Sequence, residues 1–239
     1  MKKNLLVICC GKRAYHQSWK EFHKDYNFDL ALIVFDETYF TDHNSQNAKY
    51  VFMNRGRKYE NIATCISKDI YRKYEHIGII DHDVDAEPPL IHNLFEFGIK
   101  HNFDLYQPAY NREGHPSHVD FLAVEPEYDY RVFNTVEIMC PFFSQRAYNV
   151  VCNEFDTSPF MQGYGLEYAW EGILGSYEGK TIFGGNVGVI DKYPITHLDP
   201  IVQRFETSEP DIWYYRTKYL YKRMAPFNRD VIKGVKVEE

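Results

Sequence analysis

The sequence predicts an α/β fold, a mixed but mainly parallel sheet flanked by helices. Short continuous apolar runs alternate with helical patterns through the first half, and several runs stop at charged or glycine-containing clusters. Residues 5–9 form the first run, a buried strand that ends at Gly11-Lys12-Arg13. Residues 30–35 form a second, closed by Asp36 and Glu37, and residues 50–53 a short third. Residues 59–74 follow as one helix, because Ile62, Ile66, Ile70 and Tyr74 recur at four-residue spacing. Residues 77–80 are a fourth strand, stopped by Asp81-His82-Asp83-Val84-Asp85. Pro88 and Pro89 open a helix over 90–101, since the first turn tolerates proline, and 105–108 make a fifth strand.

The second half is less regular. Residues 120–124 and 136–139 are expected strands, and 144–155 an expected helix with Ser144 as its cap. Gly163 and Gly165 mark a loop leading into a helix over 168–174. Residues 187–190 are the last short strand, before Asp191 and the segment that reaches His197. No shift in composition marks a boundary. The expected organisation is one domain over 1–206 and an aromatic, basic tail over 207–239, packed on that domain or extending from it.

A formal net charge of −7 argues against a general nucleic-acid binder, which carries a basic footprint. Aromatic residues make up 17% of the chain, a share that suits packed sheets and also platforms for sugars or bases. Cys9, Cys10, Cys65, Cys140 and Cys152 show no metal-site spacing and read as buried thiols of a reducing compartment. Lys2 and Lys3 precede an apolar run as in a signal peptide, but the run stops at Cys10-Gly11-Lys12-Arg13, too soon for one. The expected location is cytoplasmic, with the inner membrane face as an alternative. The motive for that alternative is residues 213–223, where aromatics interleave with cations as in a helix lying on an anionic surface. A helix packing its aromatics on the domain explains the same pattern.

The chemistry concentrates at Asp81-His82-Asp83-Val84-Asp85. Alternating carboxylates at a strand end offer oxygens to a hard divalent cation. An EF-hand loop fails, because Ala86 stands where glycine is required and His92 where glutamate is required. A DHH-like phosphoesterase fits poorly, since Ala86-Glu87-Pro88 replaces the small residues expected there. The remaining explanation is the D-x-D motif with which glycosyltransferases hold a metal against a nucleotide-sugar pyrophosphate.

Further segments favour it. They are Asn4-Leu5-Leu6-Val7 with Gly11-Lys12-Arg13 and His16-Gln17-Ser18-Trp19, Gly56-Arg57-Lys58-Tyr59, and Ile80-Asp81-His82-Asp83. Later come Val136-Glu137-Ile138-Met139-Cys140-Pro141, Gly163-Tyr164-Gly165-Leu166-Glu167, and Val187-Gly188-Val189-Ile190-Asp191 with His197. In this order and spacing, from residue 4 to about 200, the chain resembles the GT-A glycosyltransferases and more closely the DUF707 family.

That resemblance implies a metal-dependent transferase that moves a sugar from a nucleotide-diphosphate donor to a glycan, a lipid-linked acceptor or another hydroxyl. It implies metal ligation by Asp81, Asp83 and His197, with Mn²⁺ or Mg²⁺ as the ion and Asp81 also near the donor. It assigns Glu167, as the catalytic residue and candidate base, to the acceptor hydroxyl, although Tyr168 replaces the acid that commonly follows. Gly11, Lys12, Arg13 and Lys58 fall on donor-facing loops, where they contact the donor or are simply solvated charge; the same choice applies to Arg57. Asp85 is a third carboxylate or a helix cap, and Glu137 lines the acceptor site or holds structure. His115 and His118 belong to an acceptor loop rather than a second metal site, and Asp191 pins the loop before His197. A non-catalytic module binding sugar nucleotides or glycans on the same fold is the competing class.

Overall fold

The computed structural model describes residues 2–11, 14, 16, 19, 25–37, 47–114, 120–157, 163–198, 205–220 and 231–237. Its strands are β1 (Asn4–Cys10), β2 (Phe28–Val34), β3 (Ala48–Met53), β4 (His76–Asp81), β5 (Val84–Asp85), β6 (Phe103–Tyr110), β7 (Tyr130–Val132), β8 (Phe142–Ser144), β9 (Asn186–His197) and β10 (Lys233–Val235). Its helices are α1 (Lys58–Cys65), α2 (Lys68–Tyr71), α3 (Pro88–Lys100), α4 (Gln145–Val151), α5 (Leu166–Leu174) and α6 (Phe205–Leu220). The sheet order is β10-β7-β9-β6-β8-β4-β1-β2-β3, with β5 pairing β9 beside that path. β1 pairs in parallel with β2 and β4, β2 with β3, and β6 with β9. β8 runs antiparallel between β4 and β6, so those two strands share a direction.

All seven residues of β1 are buried, and their side chains alternate between two cores as strand geometry requires. Leu5, Val7 and Cys9 face a layer that includes Tyr59 of α1, Ala147 of α4, and Leu166 and Trp170 of α5. Leu6, Ile8 and Cys10 face Ile91, Leu94 and Phe95 of α3. Helices therefore cover both faces, and the ends of β1, β4, β6 and β9 meet along one carboxyl edge. Ligands of such sheets lie at that edge.

Several elements differ from expectation. The helix expected over 59–74 is two helices, because Ile66 leaves the helical region at ψ 74° and Ser67 starts a new helix from an extended conformation. Residues 136–139 are an irregular tether rather than a strand, and the strand there is β8. Asp120–Leu122 form a 3-10 turn, and Ala123 makes a lone bridge to Tyr110. Asp85 is not a cap: it lies in β5, and Glu87 takes the N-cap position of α3. Ser144 does cap α4, accepting the Ala147 N–H at 3.3 Å. The last strand continues seven residues past Ile190, so Asp191 lies within β9 rather than on a loop.

The chain after 206 folds back. Tyr215 of α6 is fully buried and donates to the Glu154 carbonyl at 2.9 Å, while Lys218 pairs with Glu154 at 2.7 Å. Trp213 stays exposed, and β10 pairs with β7. Among the described residues no helix is long and apolar enough to cross a membrane. The five cysteines are free.

A buried ion pair anchors β9. Arg131 Nε donates to Asp191 Oδ2 at 2.9 Å and its Nη2 to Oδ1 at 2.9 Å, and Nη2 also reaches the Ala123 carbonyl at 2.7 Å. The Glu125 N–H donates to the same carboxylate at 2.9 Å. Breaking such a pair strands a buried charge, so Asp191→Asn should lose about 3–5 kcal/mol in urea unfolding. His76 is buried, its Nδ1 3.0 Å from the Tyr106 hydroxyl, and burial pushes its pKa from 6.5 to about 4. Unfolding frees it to take a proton, so its stabilisation is whole above about pH 6.5 and is lost as pH falls through about 4. His76→Gln should therefore flatten the stability-versus-pH curve in that window, by up to about 1.4 kcal/mol per pH unit relative to wild type.

Candidate functional site

The carboxyl edge brings together residues far apart in sequence. Asp81 ends β4, where it lies in register with Cys9 of β1. The chain then turns through His82 and Asp83 into β5, and β5 pairs antiparallel with the end of β9, Val84 opposite His197 and Asp85 opposite Thr196. The Leu198 N–H donates to the Asp83 carbonyl at 3.1 Å and extends that ladder. As a result His197 Nε2 lies 3.2 Å from Asp83 Oδ2. Burial alone would raise the Asp83 carboxyl, but the hydrogen bond and charge of His197, helped by His82, hold it below its ordinary value. Asp83 Oδ1 is buried and has no hydrogen-bond partner among the described residues.

That orphaned oxygen fits a divalent cation. Among the described residues no cluster of three or more His, Cys, Asp or Glu side chains is arranged to hold a metal ion. Asp83 and His197 are two donors, and such cations commonly take one or two protein ligands with the rest from substrate phosphates and water.

Asp81 is engaged differently from Asp83. Lys58, the first residue of α1, sets its Nζ 2.6 Å from Asp81 Oδ1 and donates to the carbonyls of Ile138 and Met139 at 2.7 and 2.9 Å. Tyr59 donates to the same Ile138 carbonyl at 2.6 Å. Burial raises the Asp81 carboxyl, and Lys58 offsets only part of that rise. Lys58 is thus a tether between β4 and the 137–140 segment as well as a cation at the edge. Asp81 Oδ1 is taken by Lys58, whereas Asp83, paired through Oδ2, keeps Oδ1 without a hydrogen-bond partner among the described residues.

Gly163 and Gly165 take φ of +83° and +87°, a left-handed turn that favours glycine. A Cβ on Gly165 would also lie 2.8 Å from Ile212 of α6. This turn sets Glu167 in the first turn of α5, where negative charge is favoured, and the Glu167 carbonyl accepts the Thr135 hydroxyl at 3.0 Å. Gly11 follows β1, and the Phe35 ring lies 2.7 Å from where its Cβ would be, so close packing explains this glycine without a ligand. Lys12, Arg13, His115 and His118 lie outside the described residues.

Tyr110 carries no motif in the sequence, whereas Glu137 belongs to the 136–141 segment. Tyr110, at the end of β6, is fully buried, and its hydroxyl has no hydrogen-bond partner among the described residues. Burial, with the charges of Glu137, Cys140, Asp81 and Asp83, pushes that hydroxyl well above its ordinary value. Glu137 rises to about 7 through burial and the charges of Glu167 and Asp81, against the pull of the Met139 N–H and Lys58.

No protein-family model matches the chain, and no curated protein matches it in sequence. In fold it is similar to the crystal structure of S. aureus TarS 1–349, with a TM-score of 0.55 and 7% identity over 92% of this chain and 73% of that one. It is also similar to TarS 1–349 in complex with UDP-GlcNAc (TM-score 0.54, 9% identity, 90% and 64% coverage). A third likeness is to S. aureus TarS (TM-score 0.53, 8% identity, 93% and 46% coverage). The chain spans less than two thirds of the last two chains. These likenesses show that the fold is GT-A-like, the mixed, mainly parallel α/β sheet expected from the sequence.

Proposed function

We propose that this chain is a metal-dependent glycosyltransferase that moves a sugar from a nucleoside-diphosphate donor to a hydroxyl acceptor, either a glycan or a lipid-linked sugar. The observation that carries the proposal is the Asp83–His197 pair at the carboxyl edge of a GT-A-like sheet, with one Asp83 oxygen left for a further partner. The TarS complex with UDP-GlcNAc supports a nucleotide-sugar donor in this fold. Kinship with DUF707 rests on the sequence segments alone.

In this reading Asp83 and His197 hold Mn²⁺ or Mg²⁺. The ion, when bound, supplies Lewis-acid neutralisation of the departing diphosphate. The residues of the chain do the rest. Lys58 fixes Asp81 at the donor side, and its cation adds to the positive charge facing the phosphates. Gly11 follows β1 at the same edge; a donor contact by Gly11, Lys12 and Arg13 rests on the resemblance alone, and Lys12 and Arg13 lie outside the described residues. Glu167 presents its carboxylate to the acceptor hydroxyl and orients it.

A non-catalytic binding module on this fold would also take up a nucleotide sugar, and turnover separates the two readings. The test is thermal-shift and calorimetric titration of UDP- and GDP-sugars with and without Mn²⁺, together with release of nucleoside diphosphate. Asp83→Asn keeps the shape and removes the charge. Loss of a direct ligand should weaken Mn²⁺-dependent binding by more than the roughly 10–100-fold typical of outer-shell partners. His197→Ala should cost less, because water replaces one imidazole among several oxygen donors. Wild-type Mn²⁺ dependence in Asp83→Asn contradicts the proposal, and binding without turnover in wild type favours the module.

A further inference from the structure

The acceptor hydroxyl must lose a proton as it attacks, and Glu137 is built to receive it. Glu137 stands on the irregular segment between β7 and β8, which is clamped from two elements. Lys58 and Tyr59 of α1 hold the Ile138 and Met139 carbonyls, and Gln107 Oε1 of β6 accepts the Glu137 N–H at 2.5 Å. One oxygen of its carboxyl, Oε2, accepts the Met139 N–H at 2.8 Å, which fixes the side chain over its own turn. So held, the carboxyl lies within electrostatic reach of Glu167 and Asp81.

Two tyrosines lie within its electrostatic reach. Tyr164, in the glycine turn before α5, is 37% exposed and feels the charges of both Asp81 and Glu137. Tyr110 feels Glu137, Asp81 and Asp83 from the buried side, and its unpartnered hydroxyl is a polar group that a bound hydroxylated ligand can satisfy. The clamped carboxylate thus shares its electrostatic surroundings with the part-exposed Tyr164, the unsatisfied Tyr110 hydroxyl and Asp81.

We propose that Glu137 takes the proton of the acceptor hydroxyl, while Glu167 orients that hydroxyl. The assignment rests on the transferase reading above and deepens it. In a direct displacement the acceptor O–H bond breaks and its proton passes to Glu137. The oxygen's electron pair forms the bond to the anomeric carbon. The bond from that carbon to the diphosphate oxygen breaks, and its pair leaves with the nucleoside diphosphate.

The surroundings match this role. Burial, then repulsion from Glu167 and Asp81, outweigh the pull of the Met139 N–H and Lys58 and bring Glu137 up to about 7. Tyr59, Tyr110, Cys140 and Tyr164 also feel the Glu137 charge, and burial raises each of them, so they carry no charge near neutrality. A base that titrates near working pH combines a large ionised fraction with a strong drive to take the proton.

The test compares wild type, Glu137→Gln and Glu167→Gln, using UDP- and GDP-sugars with Mn²⁺ and water as the acceptor. Glutamine keeps an oxygen for the Met139 N–H, so the tether survives. Nucleoside diphosphate release by wild type should rise with pH through about 7. Glu137→Gln should lose roughly 10²–10⁴ in that rate and lose the rise, while its UDP-dependent thermal shift stays at the wild-type value. Glu167→Gln should be slowed yet keep the rise. A wild-type rate, or an unchanged rise, in Glu137→Gln overturns this assignment alone. Absence of release from every donor by wild type overturns it together with the transferase reading.

Discussion

The site depends on one short ladder, the pairing of β5 with the end of β9. Two residues of each strand suffice, Val84 with His197 and Asp85 with Thr196, and the Leu198 N–H to the Asp83 carbonyl extends it. Backbone pairing fixes strand separation and register, so the side chains that flank it meet without a flexible search. Without that ladder Asp83 would be a loop carboxylate and His197 a strand-end imidazole. With it they form a pair 3.2 Å apart. The Arg131–Asp191 pair supports the ladder from behind, because it fixes β9 against β7 before the strand bends toward the edge.

A second constraint organises the acidic side. Asp81, Asp83, Glu137 and Glu167 converge on one edge, and burial of several carboxylates is costly unless each has a reason to stay charged or to be neutral. Asp83 is held ionised by His197 and Asp81 is paired with Lys58. Among the described residues Glu137 is favoured in its charged form by the Met139 N–H and the Lys58 charge, which burial and the repulsion of Glu167 and Asp81 outweigh. In the proposed reading, the contrast between paired carboxylates and one that is not separates metal holding from proton transfer within one cluster.

The central strands are legible in the sequence because they are buried on both faces. Residues 5–9, 30–35 and 77–80 are continuous apolar runs, and each lies within a strand of the structure or overlaps one closely. The pattern gives out at β9, where Lys192, Tyr193 and Pro194 interrupt the run although the strand continues. Pairing with β6 and β5 holds β9 on either side of that stretch, and the Lys192 N–H donates to the Asp129 carbonyl at 3.1 Å, long-range contacts that a local window does not contain. The isoleucine spacing likewise runs on through Ser67, whereas the backbone breaks there. The apolar letters of 136–139 suggest a strand, yet Lys58 and Tyr59 capture the carbonyls that a strand would use. Asp81, Asp83, Glu167 and His197 are visible through family likeness. The Lys58 tether and the orphaned Tyr110 hydroxyl are not, because they exist only where side chains from different elements meet.

The most direct measurement is a crystal structure of the protein with UDP and Mn²⁺. The account predicts the diphosphate at the carboxyl edge of the sheet, with the ion bound to the Asp83 carboxylate and the His197 imidazole. A nucleotide bound away from that edge, or an ion held by neither residue, would contradict it.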